Sequence, residues 1–168
     1  DAGGTLIDTA DVYSDGVAEQ MLGEFLKEFE ARDQVVIATK AGSKAGPERR
    51  FDTSRSHLLR SLDESLTRLR TDHVDLWQLH AWDPMTPMDE TLAAVDEAVR
   101  SGRARYAGIS NYSGAQAARA ARAAARTFAA IIRRRRRSSS PCACSSETAG
   151  SASRAHRSRS RARHRRGA

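Results

Sequence analysis

Between residues 5 and 111, short apolar runs of β type alternate with longer runs of helical period, and this alternation restricts the fold more than any other feature of the chain. Runs such as TLID (5–8), VVIATK (35–40), VDLWQLH (74–80) and ARYAGIS (104–110) have the length and residue types of strands. The segments between them repeat apolar residues at three- and four-residue spacing. Over about 16–29 the stripe is Val17, Met21, Leu22, Phe25 and Leu26, and over about 53–70 it is Leu58, Leu59, Leu62, Leu66 and Leu69. In the second of these helices, Arg60 with Glu64 and Glu64 with Arg68 are spaced to pair on the solvent side. A third helix, about 88–101, carries Leu92, Val95 and Val99, and Gly102 follows where a left-handed C-terminal cap belongs.

Strand, helix, strand in regular succession predicts an α/β fold with a parallel sheet. Right-handed crossovers can arrange such units as an open doubly wound sheet or as a closed (β/α)8 barrel. Four units do not decide between the two. A glycine-rich phosphate turn directly after a strand would favour the open sheet, but GGTLID precedes its strand and no G-x-G-x-x-G occurs, which tilts the reading toward the barrel.

The charge balance divides the chain in two. Residues 1–112 carry a formal charge of −7 and residues 113–168 one of +14, so the overall +7 describes neither part. The first part has the mixed charge of an ordinary domain. In 117–168, by contrast, 39 of 52 residues are Ala, Arg or Ser, too few large apolar groups to offset chain entropy, and disorder is expected there. The predicted organisation is therefore a domain over 1–116 and a low-complexity basic tail over 117–168. RRRRR at 133–137 and the arginines near the end could bind nucleic acid or another polyanion through phosphates, although Phe128 is the tail's one aromatic and gives bases little to stack on. The same composition is what a shifted reading frame in a GC-rich gene would encode. Cys142 and Cys144 have no second pair to complete a zinc site. No window approaches the roughly 18 apolar residues of a membrane helix, and no basic n-region leads into an apolar one, so a cytoplasmic protein is expected.

In parallel α/β architectures, functional groups collect at the carboxyl ends of the strands. Here those ends carry Asp8, Lys40, His80 and Ser110 with Asn111, and Tyr13 follows Asp8 on a loop. Each has an ordinary explanation by itself: a loop anchor, a snorkelling lysine, a core histidine, a half-buried aromatic, the N-cap of a following helix. Together they form a chemical set. An ammonium beside a phenol stabilises the phenolate, a carboxylate keeps a buried ammonium charged, and an imidazole can donate to a carbonyl oxygen as negative charge grows on it.

The stretches IDTADVYSDGVAEQMLGEFLK, VVIATKAG, LWQLHAWDP, TPMDETLAAVDEAVRSGRARYAGIS and GISNYS resemble the aldo-keto reductases, from Asp1 to about Gln116. The resemblance implies a (β/α)8 barrel reducing small-molecule carbonyls with NADPH, or sometimes NADH. It maps the family's catalytic tetrad onto Asp8, Tyr13, Lys40 and His80, with Tyr13 as proton donor, Lys40 paired with Asp8, and His80 orienting the carbonyl. Ser110 and Asn111 match the pair that holds the nicotinamide carboxamide. Four units are about half of such a barrel, the family's first strand and everything after Gln116 being without a match, and a fragment without reductase activity is the expectation.

Overall fold

The computed structural model describes residues 3–43 and 50–138, from residue 127 on as backbone only. Four strands, β1 (Leu6–Asp8), β2 (Val36–Ala41), β3 (Val74–Leu79) and β4 (Ala104–Ile109), form one sheet in the order β1-β2-β3-β4. Every pairing is parallel. Each strand is followed by a helix: α1 (Val17–Glu28), α2 (Arg55–Leu69), α3 (Met88–Arg100) and α4 (Gly114–Ser138). Strands in consecutive order, each joined to the next by a helix, give the barrel type of arrangement rather than the doubly wound one, in which strand order reverses.

The two faces of the sheet differ. Ile37, Thr39, Ala41, Trp77 and Leu79 point to the helix side and are at most 2% exposed, packed with Leu58, Leu62 and Leu69 of α2 and Ala94 and Ala98 of α3. On the opposite, concave face Leu6, Val36 and Tyr106 are 62, 44 and 71% exposed. In a full barrel this face is the packed interior.

Two expectations about the helices change. Of the α1 stripe, Leu26 and Leu22 reach the core, whereas Val17, Met21 and Phe25 are exposed with Phe29. The cause is position: α1 lies at the end of the helix row and packs sideways on α2, so closely that a Cβ on Gly23 would stand 2.2 Å from the carbonyl oxygen of Arg68. Arg68 in turn does not serve Glu64; it ion-pairs with the fully buried Glu19 of α1 at 2.8 Å, and Glu64 keeps Arg60 at 3.8 Å. The Gly102 cap is present, with φ at +82° and its N–H donating to Val99 O at 3.1 Å.

The expected disorder from residue 117 gives way to helix through Ser138. Alanine and arginine are among the strongest helix formers, and composition read only as low complexity overlooks this. A reciprocal cap starts the helix: Ser113 N–H donates to Gln116 Oε1 at 2.8 Å and Gln116 N–H to Ser113 Oγ at 3.3 Å. Ala117, Ala120, Ala121 and Ala124 face α3 and β4, and Ala120 is buried. The Cys142, Cys144 and C-terminal arginine expectations lie outside the described residues.

Candidate active site

The four strands end at one level, and the ladder carries on past them into the loops. His80 N–H donates to Ala41 O at 2.8 Å and Ser110 N–H to Leu79 O at 2.9 Å, so both residues keep strand-like placement one step beyond their strands. On the β1 side, Thr9 N–H donates to Ala38 O and Asp11 N–H to Lys40 O. The chain then tightens into a short helical turn at Tyr13–Gly16, in which Ser14, Asp15 and Gly16 all have left-handed φ (+50°, +54°, +88°). Two non-glycine residues in succession there store strain. The turn places the Tyr13 ring over the concave end of the sheet, edge-on to His80 with centroids 5.9 Å apart.

Asp8, Tyr13, Lys40 and His80, 72 residues apart in sequence at the extremes, thus converge on one point. Lys40 is at its centre, its side chain 7% exposed. Its ammonium donates to Asp8 Oδ2 at 2.5 Å, to Thr9 O at 2.9 Å and to Tyr13 Oη at 3.4 Å. A lysine ammonium has three N–H groups, and here there are three acceptors. Because the phenol oxygen accepts from Lys40, the phenol's own hydrogen is directed elsewhere. Asp8 Oδ1 takes a further hydrogen bond from Gln78 Nε2 at 3.3 Å. Gln78 and Thr9 were missed in the sequence, although strand alternation puts Gln78 on the same sheet face as His80, two residues on.

His80 is held below the ordinary imidazole pKa by burial first and by the Lys40 charge second, with Asp8 opposing. It is therefore neutral at pH 7, with one ring N–H to give. Its Nδ1 is buried and makes no hydrogen bond in the structure. Asn111, at φ +54°, does not cap α4; its amide donates to His80 O at 2.8 Å and to Ser110 Oγ at 3.1 Å. That leaves the Asn111 amide oxygen and the Ser110 hydroxyl hydrogen, one acceptor and one donor, as a carboxamide requires.

Beside these residues lies a cavity of about 620 Å³ lined by His80, Trp82, Asn111, Arg50, Phe51 and Asp15, among others. Its wall at Trp82 is braced by the edge of Tyr112 at 5.4 Å and by the Arg119 guanidinium at 5.5 Å. The loop that carries Trp82 is fixed by Asp83, a third residue that sequence reasoning missed. Its buried carboxylate accepts from Thr53 N–H (2.9 Å), Met85 N–H (2.9 Å) and Thr86 Oγ1 (2.6 Å), tying the end of β3 to the start of α2. The only sequence sign of it is the Asp-Pro step at 83–84.

A parallel α/β half-ring with a lysine-centred polar cluster at its carboxyl end is the architecture of a barrel enzyme. The chain belongs to the aldo/keto reductase family, whose model matches residues 1–132. It is similar to the aldo-keto reductase YhdN of Bacillus subtilis, with 40% identity over 114 residues, 67% of this chain and 34% of that protein. To the L-glyceraldehyde 3-phosphate reductase of Escherichia coli it is 45% identical over 118 residues, with the same shares covered. Among solved structures it is similar to the holo form of aldo-keto reductase AKR11C1 from Bacillus halodurans, with a TM-score of 0.59 and 38% identity over 65% of this chain and 37% of that one. The chain spans about a third of the length of these relatives.

Proposed function

We propose that this site is built for reduction of the carbonyl of a small aldehyde or ketone, with NADPH, or alternatively NADH, as the reductant. The observation that carries the reading is the hydrogen bonding of Lys40, whose three N–H groups go to Asp8, Thr9 and Tyr13. A reduced nicotinamide supplies hydride to a carbonyl carbon, and Ser110 and Asn111 are the residues that would hold its carboxamide. Everything else is the work of side chains. Tyr13 gives its phenolic proton to the carbonyl oxygen, and Lys40 stabilises the phenolate left behind. Asp8 keeps the buried ammonium charged at a cost in desolvation that the pair offsets. Neutral His80 donates a hydrogen bond to the same oxygen and fixes its direction.

The proposal extends to turnover by the 168-residue chain alone, which is expected to be absent. Its sheet supplies half the circumference of a barrel, so water reaches the cluster from the concave side and weakens each electrostatic interaction in it. No described helix is long and apolar enough to cross a membrane, and the proposal takes the protein to act in the cytoplasm. The test is a chimera in which residues 3–116 replace the matching segment of the Bacillus subtilis relative. It should oxidise NADPH with a reactive aldehyde, and Tyr13→Phe should lower kcat by about 10²–10⁴. A chimera that folds and reduces equally well with phenylalanine at 13 refutes the role of Tyr13. Tyr13-dependent reduction by the unfused chain refutes the expected inactivity.

A further inference from the structure

Between residues 3 and 112, every described arginine but one is ion-paired with a carboxylate, as Arg32 and Arg105 are with Asp75 and Arg68 is with Glu19. The exception is Arg50, which has no such partner among the described residues. It is also the arginine that lines the cavity beside His80. We propose that Arg50 receives an anionic group of the substrate, so that the carbonyl compounds this site takes carry a carboxylate or a phosphate. The inference rests on the carbonyl-reduction reading above for the reacting end of the ligand.

The backbone that bears Arg50 is anchored. Phe51, the next residue, forms an antiparallel bridge with Ser43 just past β2, and Asp52 N–H donates to Gly42 O at 2.9 Å. Arg50 is thereby tied to the end of the strand that carries Lys40. Its orientation is also set, because the guanidinium lies over the Phe51 ring, 5.4 Å from the centroid. Stacking uses the face of a guanidinium and leaves its N–H edge, a fork of donors that binds a carboxylate or phosphate at two points.

The charges around the cavity single out the same residue. The Lys40 ammonium is matched by the Asp8 carboxylate, and His80 is neutral at pH 7. Arg50 is then the one cationic side chain in the described lining. Asp15 lines the same cavity and repels anions, so an anionic group is stabilised where Arg50 stands and not on the Asp15 side. A neutral substrate would leave this guanidinium without a counter-charge, whereas an anionic one completes the pairing that every other arginine of this part of the chain already has.

The test is ligand binding to the full 168-residue chain, followed by NMR on the indole N–H of Trp82 in the cavity wall, with Trp82→Phe separating its signal from that of Trp77. Two matched pairs of ketones serve as probes: levulinate with methyl levulinate, and dihydroxyacetone phosphate with dihydroxyacetone. At least one anionic probe should shift the Trp82 signal saturably and bind about tenfold or more tightly than its neutral partner. Which pair responds tells carboxylate from phosphate. Arg50→Gln should remove the preference with an unchanged far-UV circular dichroism spectrum, and Arg50→Lys, which keeps the charge and loses the fork, should restore only part of it. Arg119→Gln, which removes the other guanidinium near Trp82, should leave the preference intact. Equal binding of charged and neutral probes overturns the proposal, as does the absence of a saturable shift with any probe. So does a preference that survives Arg50→Gln or is lost in Arg119→Gln. Binding is read without a reductant, which separates this result from the reaction itself. No anion preference alongside Tyr13-dependent reduction by the chimera refutes the role of Arg50 alone, and Arg50-dependent binding alongside reduction indifferent to Tyr13 refutes the catalytic reading alone.

Discussion

Asp11 shows how a residue two positions from Tyr13 becomes a liability of the fold. Its carboxyl is pushed up to about 7 by burial first and by the charge of Glu19 second, and only partly relieved by Arg68. One of its oxygens, Oδ1, is buried without a hydrogen-bond partner. In the unfolded chain the same group has an ordinary value near 4. A carboxyl raised on folding binds its proton more tightly in the native state, so its favourable contribution is complete below about pH 4 and is lost as pH rises toward 7. Asp11→Asn removes that dependence. Thermal unfolding should show the parent losing stability between pH 5 and pH 8 and the variant holding level, with a gain of about 2 to 4 kcal/mol at pH 8. Equal losses in both proteins would place the titration elsewhere. The Lys40 cluster is organised differently: its lysine is buried too, but each of its donors has an acceptor, so burial there costs little net stability.

Between elements, the contact of α1 with α2 is fixed by one missing side chain and one buried charge pair. Gly23 lies against the backbone of Arg68 and Leu69, and Glu19 accepts from Arg68 Nε at 2.8 Å and from Thr39 Oγ1 at 2.5 Å, so that α1, α2 and β2 share a single buried carboxylate. The neighbour met by a Cβ at 23 is backbone, which cannot swing aside. Gly23→Ala would improve helix propensity by about 1 kcal/mol in an isolated helix. In this packing it should instead destabilise by about 2 kcal/mol or more as α1 is pushed off α2. Chemical denaturation decides the sign, and a stabilised variant would show that α1 shifts freely. At the other end of the row, α4 lines its boundary with α3 and β4 with Ala117, Ala120, Ala121 and Ala124 among the described side chains, and an apolar groove of about 380 Å³ remains there. Methyl groups close helices together but do not fill the space that larger side chains would.

For the molecule as a whole, charge and apolar surface are unevenly distributed. Residues 139–168 carry +6 of the chain's formal +7. Deleting them should move elution from a heparin column to markedly lower salt, since the salt dependence of polyanion binding scales with the number of cationic contacts. Unchanged elution would assign the binding to α4, whose exposed arginines precede that segment. The apolar surface is concentrated on the concave side and on the outer face of α1, which a single copy leaves to water. The half-ring packs its helix side around α2 and α3 and leaves its barrel side open.

Much of this protein is readable in one dimension, and the reason is local. Alternation of period two and period 3.6 places all four strands and the first three helices to within one or two residues, because burial on one sheet face and one helix stripe imposes those periods on the residues themselves. The positions of Asp8, Lys40, His80 and Ser110 follow from the same rule, since strand ends are where a parallel sheet exposes its functional groups. What the sequence leaves open are the choices made by partners distant along the chain. Whether Arg68 pairs with Glu64 beside it or with Glu19 across a helix interface, whether the α1 stripe is covered, and which carboxylate Gln78 supports all depend on which surfaces meet. The three acceptors around Lys40 come from β1 and the loop beyond it, and only the parallel register of β1 on β2 brings them within reach of its ammonium.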